Sequence, residues 1–264
     1  MSIINSVIKG GGTQPTGTKN ITSNGVHNVA AYEYADVQVP TTAPAYYIEK
    51  TKDANNKLQN GSTIINLSGA TDVGDYVLQY AYYQNTNISG TVDMSSLTTL
   101  SGSSCCSYMF SGCASISGVL DLSSLTTISG NSAGNNMFRN CTGITGVDLS
   151  SLTTISGQNG GNALFNGCTG LTSVVFSSLT SITFGGCSYM FNNCTNLTSL
   201  SFPAITTTSF GNNTNQFNGM LSGVTGCTVH FPSNLQSVIG SWSDVTAGFG
   251  GTNTTVLFDL SATA

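Results

Sequence analysis

Two neighbouring stretches of sequence decide the fold: FNGCTGLTSVVFSSLTSI at residues 165–182 and FNNCTNLTSLSFPAITTT at residues 191–208. Their aromatic, cysteine and aliphatic positions coincide when one stretch is shifted by 26 residues. The unit recurs along the chain, and its second conserved aliphatic position falls at steps of 26 to 30 residues at Leu97, Leu125, Leu152, Leu179, Ile205 and Leu235, with Ala70 in a degenerate first turn. A fixed period of about 27 residues indicates a stack of about six repeats.

Three further columns of residues keep this register. The first is aromatic: Tyr83, Phe110, Phe138, Phe165, Phe191 and Phe217. The second follows three residues later: Thr86, Cys113, Cys141, Cys168, Cys194 and Met220. The third is a pair of apolar residues two positions apart: Val92 and Met94, Leu120 and Leu122, Val147 and Leu149, Val174 and Phe176, Leu200 and Phe202, Val229 and Phe231. Alternation with a period of two turns one side of a short strand inward, so successive turns are predicted to pair as parallel strands around aromatic and cysteine columns.

We therefore expect a β-rich solenoid, a right-handed leucine-rich-repeat-type stack with a parallel sheet, over residues 70–240. The ends of such a stack need caps because an open end exposes core and strand edges. We expect the linker and N-terminal cap in residues 41–69 and the C-terminal cap in residues 241–264, where TTVLFDL is a candidate closing strand.

The N-terminal segments differ from the repeats. Residues 1–16 are expected to be a flexible segment. In residues 17–40, alternation in VHNV and ADVQVP with a turn signal at Asn24 and Gly25 predicts a small β-hairpin module.

The repeat unit resembles the BspA-like leucine-rich repeats of bacterial surface proteins, over roughly residues 62–240. It departs from that pattern in having Ser-Ser where Pro is common before the second Leu, although Pro203 and Pro232 keep the proline. The resemblance implies a leucine-rich-repeat fold and adhesion to host or neighbouring surfaces. Residues 17–40 resemble a short β motif in tail and surface proteins of gut bacteria and their phages, which favours a phage structural or tail-associated protein.

The charge distribution excludes one class of function. Only 6% of the residues are charged, and beyond residue 57 the single base, Arg139, stands against seven aspartates. Binding to nucleic acid requires a density of basic side chains, so we exclude it. No apolar stretch is long enough to span a membrane, and the apolar run at the N-terminus is too short for a signal peptide. We expect an extracellular, virion or bacterial cell-surface location, reached after removal of a signal or without one.

The eight cysteines do not form a metal-binding pattern. There is no close pair of the CxxC type, and the only histidines are His27 and His230. Four cysteines occupy one repeat column, where stacked neighbours would sit about 5 Å apart, which is compatible with disulfides. The favoured alternative is a ladder of buried free thiols, since free cysteine packs as a small hydrophobe.

The outward positions of the predicted strands hold the candidate site. One column contains Asp93, Asp121, Asp148, Val175, Ser201 and His230. Stacked carboxylates at Asp93, Asp121 and Asp148 suggest a solvated acidic ladder, a shared calcium ion or, least favoured, glycoside cleavage, because a flat face lacks a cleft. These three aspartates are our candidate binding residues; no catalytic residue, no fixed metal site and no cofactor other than calcium is expected. His230 has Ser201 rather than an acid beside it in the preceding turn, so it is expected to be an exposed polar residue.

Four tyrosines crowd the first turn: Tyr76, Tyr80, Tyr82 and Tyr83. Tyr83 is assigned to the core column, and the others either cover the open end of the stack or form a platform for sugars or protein.

The sequence thus favours a non-catalytic surface or virion protein for attachment or structural display. Its partner would be a host-surface protein or a glycan, bound along a repeat face. The alternative is a subunit that self-associates into an extracellular fibre or appendage, which the acidic body and mildly basic front segment would favour. A carbohydrate-active enzyme comes third.

Overall fold

The computed structural model describes residues 97–182, 185–206, 214–239 and 248–261, together with part of the segment 72–95. Before residue 72 it describes only the backbone of four short strands: β1 (Thr18–Asn20), β2 (Gly25–Asn28), β3 (Asp36–Gln38) and β4 (Tyr46–Glu49).

The N-terminal strands pair differently from the hairpin that the sequence predicted. β1 pairs with β3 and β2 pairs with β4, and both pairs are parallel. A hairpin would join two neighbouring antiparallel strands through Asn24 and Gly25, but Gly25 instead begins β2. Alternation of apolar and polar residues is common to both kinds of pairing, so the sequence pattern could not separate them.

The described repeats and the C-terminal tail form ten further strands, six longer and four short, and three turns contain one of each kind. They are β5 (Thr99–Leu100), β6 (Ser117–Asp121), β7 (Thr127–Ile128), β8 (Gly143–Asp148), β9 (Thr154–Ile155), β10 (Ser173–Val175), β11 (Ser181–Ile182), β12 (Ser199–Ser201), β13 (Thr228–Pro232) and β14 (Thr255–Leu260). A 3-10 turn (Thr214–Phe217) precedes β13, and a second 3-10 turn (Ser233–Leu235) and one α-helical turn, α1 (Gln236–Ile239), follow it.

The strands stack in parallel ladders, one turn above the next. The short strands form the sheet β5-β7-β9-β11, and the longer ones form β6-β8 and β10-β12-β13-β14. Every pair is parallel and joins residues about one repeat apart, for example Thr127 with Thr154 and Ser199 with Thr228. The prediction of a parallel β-solenoid with turns about 27 residues apart is confirmed, and about five turns lie within the described residues.

The remaining side of each coil, which we call the turn side, consists of consecutive turns stacked on those of the next coil. Its N–H groups point alternately to a carbonyl three residues back and to a carbonyl of the next coil. Thus the Phe110 N–H donates to Met137 O (2.8 Å) and the Phe138 N–H to Leu164 O (3.0 Å). Alternate residues have left-handed backbone angles, such as φ 55° at Tyr108. Left-handed backbone angles are unfavourable for residues that carry a side chain. The two sets of hydrogen bonds, within a coil and between coils, offset this cost because they satisfy the buried backbone N–H and C=O groups.

The core confirms the leucine column and the middle of the aromatic column. The rings of Tyr82, Phe110, Phe138, Phe165 and Phe191 stack with centroids 5.4 to 5.8 Å apart and planes within 10° of parallel. A second stack joins Phe176, Phe202 and Phe231 at 4.9 and 5.3 Å. All eight of these rings are buried.

Both ends of the aromatic and cysteine columns were assigned wrongly. Tyr82 rather than Tyr83 stacks on Phe110, because the first step is 28 residues. At the other end Phe191 donates its N–H to Met220, so Leu221, which follows Met220, occupies the position that we had given to Phe217.

The cysteine column shifts by the same amounts. Val224 takes the place that we had assigned to Met220, and its N–H donates to Leu221 O just as the Cys194 N–H donates to Phe191 O. At the first turn the same shift moves the column from Thr86 to residue 85, which lies outside the described residues. Phe217 and Met220 remain buried, but off the columns.

The C-terminal tail adds one more strand to the stack, in the segment where the sequence placed a candidate closing strand. β14 pairs with β13, extending the sheet by one strand. On the turn side, the N–H groups of Gly219 and Leu221 donate to the carbonyls of Gly248 and Phe249, and the Phe249 ring is fully buried beside Phe217. The boundaries of both caps and of the N-terminal module remain predictions.

Candidate functional site

The longer strands present two outward columns of side chains. Pairing places Asp121 beside Asp148, Val175 beside Ser201, and Ser201 beside His230. This is the column in which the sequence placed its candidate residues, although Asp93 lies outside the described residues. The second column stands two residues earlier: Val119, Gly146, Ser173, Ser199 and Thr228.

The two described aspartates of the candidate site are exposed and engage their own chain. Asp121 accepts hydrogen bonds from the Ser123 hydroxyl (2.6 Å) and the Ser123 N–H (3.0 Å), and Asp148 accepts one from the Ser150 N–H (2.9 Å). Both hydrogen bonds lower the pKa of Asp121, and the one from the Ser123 hydroxyl contributes more than the one from the Ser123 N–H. Each aspartate therefore closes a local turn after its strand, which explains why Asp-Leu-Ser-Ser recurs.

The described residues of this face do not assemble a metal site. Within the described part of the chain, no three His, Cys, Asp or Glu side chains lie together in a way that could hold an ion. The aspartates therefore remain candidate binding residues rather than an assembled centre.

A groove opens where the ladder of long strands is interrupted. β8 and β10 lie in consecutive turns but belong to separate sheets. The residue after each long strand otherwise donates its N–H to the next turn, as Leu122 does to Asp148 O and Phe176 does to Ser201 O. Leu149 makes no such bond. The resulting open groove has a volume of about 310 Å³ and is lined by residues that include Val119, Gly146, Val147, Asp148 and Val175.

The walls of the groove combine polar side chains with two exposed valines. Val119 and Val175 are 60% and 49% exposed, the two largest values among the exposed large hydrophobic residues of the described chain. Gly146 lies between them, and a Cβ atom at Gly146 would meet the Val119 side chain at 3.4 Å. Because Gly146 has no side chain, the space between the two valines stays open. Sequence reasoning missed this groove because it treated the strand ladder as continuous.

His230 has an acidic neighbour that sequence reasoning missed. Its Nδ1 lies 2.9 Å from Asp259 Oδ2 and 3.0 Å from Asp259 Oδ1. Asp259 lies on the closing strand β14, and its separation of 29 residues from His230, about one repeat, was the available signal. Ser201, His230 and Asp259 thus stand on three adjacent strands, but Ser201 makes no hydrogen bond to His230. The geometry is that of a partly exposed histidine hydrogen-bonded to a carboxylate of the last strand, and it lacks an activated nucleophile.

The cysteine column is a ladder of buried free thiols, as favoured from the sequence. Each Sγ lies 3.0 to 3.1 Å from a carbonyl of the preceding coil: Cys113 to Tyr82, Cys141 to Phe110, Cys168 to Phe138 and Cys194 to Phe165. Burial raises the pKa of Cys141, Cys168 and Cys194, and that of Cys194 reaches about 12. The thiolate is the reactive form, so these cysteines serve packing rather than chemistry.

The first turn places two of its tyrosines on the surface. Tyr82 is buried in the core, Tyr80 is 42% exposed, and Tyr83 is partly exposed. Tyr76 lies outside the described residues. Tyr108 of the next turn stacks on Tyr80 with ring centroids 5.0 Å apart.

These features define a class: a β-solenoid of the leucine-rich-repeat type whose strand face is open to solvent. In a scan of family profiles, residues 75–222 match the BspA type Leucine rich repeat region in six copies. The match covers more than half of the chain, and the chain belongs to that family. A search of curated proteins finds no significant match.

Membership of the family carries general expectations. Its repeats are generally non-catalytic modules for protein–protein interaction, are typical of bacterial surface proteins, and typically need no cofactor. Among the described residues, no helix has the length and hydrophobicity that crossing a membrane would require.

Proposed function

We propose that this chain is a non-catalytic surface or virion protein for attachment or structural display, and that it binds a host-surface protein or glycan along the outward face of β6, β8 and β10. The observation that supports this proposal is the groove between β8 and β10, with Val119 and Val175 on its walls. Exposed apolar side chains grouped around a concave surface are typical of recognition sites.

The polar residues of the face suit a binding role. Asp148 lines the groove and Asp121 stands beside it in the same column. Both carboxylates are exposed and held by local hydrogen bonds, so they are preorganised to accept hydrogen bonds from a partner at little entropic cost. We include Asp93, Asp121 and Asp148 in the proposed binding face.

A binding role is also favoured over catalysis. The hydrogen-bonded contact of His230 with Asp259 is partly exposed, and the neighbouring Ser201 is not hydrogen-bonded to the histidine. A hydrolytic site would need that serine within reach of the base, as well as donors that stabilise an oxyanion.

The proposal is tested by binding of the fluorescently labelled chain to intact bacterial and epithelial cells, measured by flow cytometry. Val175→Lys replaces an apolar side chain of the groove wall with a charge and is expected to reduce binding at least tenfold. Ser129→Lys is the matched control, because Ser129 is also exposed but follows β7 on the sheet of short strands. Equal binding by both variants, or no cell binding by the unmodified chain, would refute the proposal.

The acidic column has a separate test. If the carboxylates of Asp121 and Asp148 share calcium with a partner, EDTA lowers cell binding and added calcium restores it. Binding that is unaffected by EDTA assigns the aspartates to hydrogen bonding alone.

A second candidate function is self-assembly into a fibre or appendage, and the closing strand favours it. The inward side chains Val256 and Phe258 of β14 are only partly buried, and Leu257 on its outer side is 39% exposed. An edge strand with half-covered apolar residues can pair with another copy.

Negative-stain electron microscopy over a range of concentrations separates the two candidates. Discrete short rods at every concentration favour attachment. Filaments that lengthen with concentration favour assembly, and Phe258→Glu should then abolish them.

A further inference from the structure

Three tyrosines from two consecutive turns form a cluster on the turn side of the solenoid. Tyr80 and Tyr108 stack in parallel, with ring centroids 5.0 Å apart and planes 13° apart. Tyr83 meets both rings nearly edge-on, at 5.7 Å from Tyr80 and 6.3 Å from Tyr108, with interplanar angles of 83° and 73°. We call Tyr80, Tyr83 and Tyr108 the tyrosine cluster; its rings make two walls of a right-angled corner.

The tyrosine cluster is not needed to fill the core. Tyr82 already occupies the end of the buried aromatic stack and lies against Phe110. Tyr80 is 42% exposed, and its left-handed backbone angle, φ 55°, is the one that alternate residues of the turn side share. What distinguishes Tyr80 is that its exposed ring lies beside two further tyrosine rings, a grouping that offers aromatic faces and hydroxyl groups to a ligand.

The hydrogen-bonding groups that the described tyrosines and Gln84 bring to the cluster are neutral. The Gln84 amide donates from Nε2 to the Tyr83 hydroxyl at 3.2 Å, and Gln84 is exposed. Burial, followed by the proximity of Tyr108 and Tyr83, raises the pKa of Tyr80, so its phenol stays protonated and can donate a hydrogen bond. The corner therefore combines flat apolar ring faces with hydroxyl and amide groups that carry no charge.

We propose that the tyrosine cluster binds neutral glycans through the C–H faces of their pyranose rings. A pyranose with equatorial hydroxyls has an apolar face that packs on an aromatic ring and a polar edge that hydrogen-bonds to hydroxyl and amide groups. Nucleic-acid bases also stack on tyrosine, but binding of their phosphates requires a density of basic side chains, and Arg139 is the single base beyond residue 57. The site lies on the turn side, apart from the strand face, so its test is independent of the attachment proposal.

The probe is cellohexaose, a linear glucan whose hydroxyls are all equatorial. Saturation-transfer-difference NMR of the full chain should show transfer to the axial ring protons of the sugar. Isothermal titration should give binding about tenfold weaker for Tyr80→Ala, the loss typical of one aromatic stacking contact. Tyr80→Phe keeps the ring and should retain most of the affinity.

The chain offers a matched control in Tyr189, which is also 42% exposed and has φ 53°. No ring of the described residues lies beside Tyr189, so Tyr189→Ala removes an equally exposed tyrosine without touching the cluster. Circular dichroism confirms that each variant is folded. Absence of saturation transfer in the unmodified chain, or equal weakening by Tyr80→Ala and Tyr189→Ala, overturns the proposal.

Discussion

The stacked rings of the core make a sharp prediction about how stability is distributed. Phe138 is fully buried between the rings of Phe110 and Phe165, at 5.4 and 5.7 Å. Phe138→Leu keeps most of the apolar volume and removes two ring–ring contacts, each worth about 0.5–1.5 kcal/mol. We therefore expect the free energy of unfolding to fall by about 1–3 kcal/mol, from the sum of those two contacts.

A double-mutant cycle separates ring stacking from lost volume. Phe138→Leu and Phe165→Leu change two rings in contact, so we expect them to couple by about 0.5–1.5 kcal/mol. Phe110→Leu and Phe165→Leu form the control pair, because Phe138 lies between those rings, and their effects should add.

The assay is urea unfolding in a reducing buffer, followed by far-ultraviolet circular dichroism and by tyrosine fluorescence. The two signals must coincide for each variant, since repeat arrays can unfold in stages. Coupling of the same size in both pairs would refute the view that stability resides in contacts between adjacent coils.

Three further predictions concern the thiols, the acidic column and the close contacts between coils. Burial raises the pKa of Cys194 from 9.0 to about 12, so the buried, protonated thiol contributes its full stabilisation of the fold below pH 9.0 and loses it as pH rises toward 12. The urea midpoint should therefore fall over this alkaline range. At neutral pH, iodoacetamide should label the thiol only after unfolding. Ser123→Ala should raise the pKa of Asp121 in a carbon-detected NMR titration, because it removes the hydroxyl that contributes most to lowering that pKa. The lowered pKa stabilises the fold at pH values above the ordinary pKa, and this contribution is lost as pH falls through the lowered pKa; an unchanged pKa in the variant would contradict the hydrogen-bond assignment. Gly157→Ala places a Cβ 2.0 Å from the Gly130 carbonyl oxygen and should cost about 1–3 kcal/mol in urea unfolding, whereas Gly248→Ala meets nothing within 4 Å and should leave the midpoint unchanged.

The middle of the solenoid could be predicted because its repeats have nearly constant length. Leu125, Leu152 and Leu179 follow one another at 27 residues, and each is buried in the position that the period assigned to it. When the period is constant, matching residue types and matching backbone pairing give the same alignment.

The ends could not be aligned in this way because insertions separate residue type from position. An aromatic match selected Tyr83 and Phe217, whereas the hydrogen-bonded ladder places Tyr82 and Leu221 in the column. Backbone hydrogen bonds decide which residue lies in the column, and these bonds do not depend on the type of side chain.

The candidate site was only partly visible in the sequence. The acidic column was found because Asp121 and Asp148 share a register, but the groove beside them depends on two strands that fail to pair. Val147 and Val174 have the same alternation as every other strand pair, so the sequence contains no sign of the interruption. Asp259 was missed because β14 stands outside the periodic region.

The interruption between β8 and β10 also has a mechanical consequence. At that level β9 and β11 remain paired, and the turn side keeps its bond from Phe138 to Leu164. At this level the short strands and the turn side are therefore hydrogen-bonded to the next coil, whereas the long strands β8 and β10 are not paired and resist separation less. A lateral load would bend the body at this level, with the intact sheet as the hinge, and would widen the groove before any other part of the coil opened.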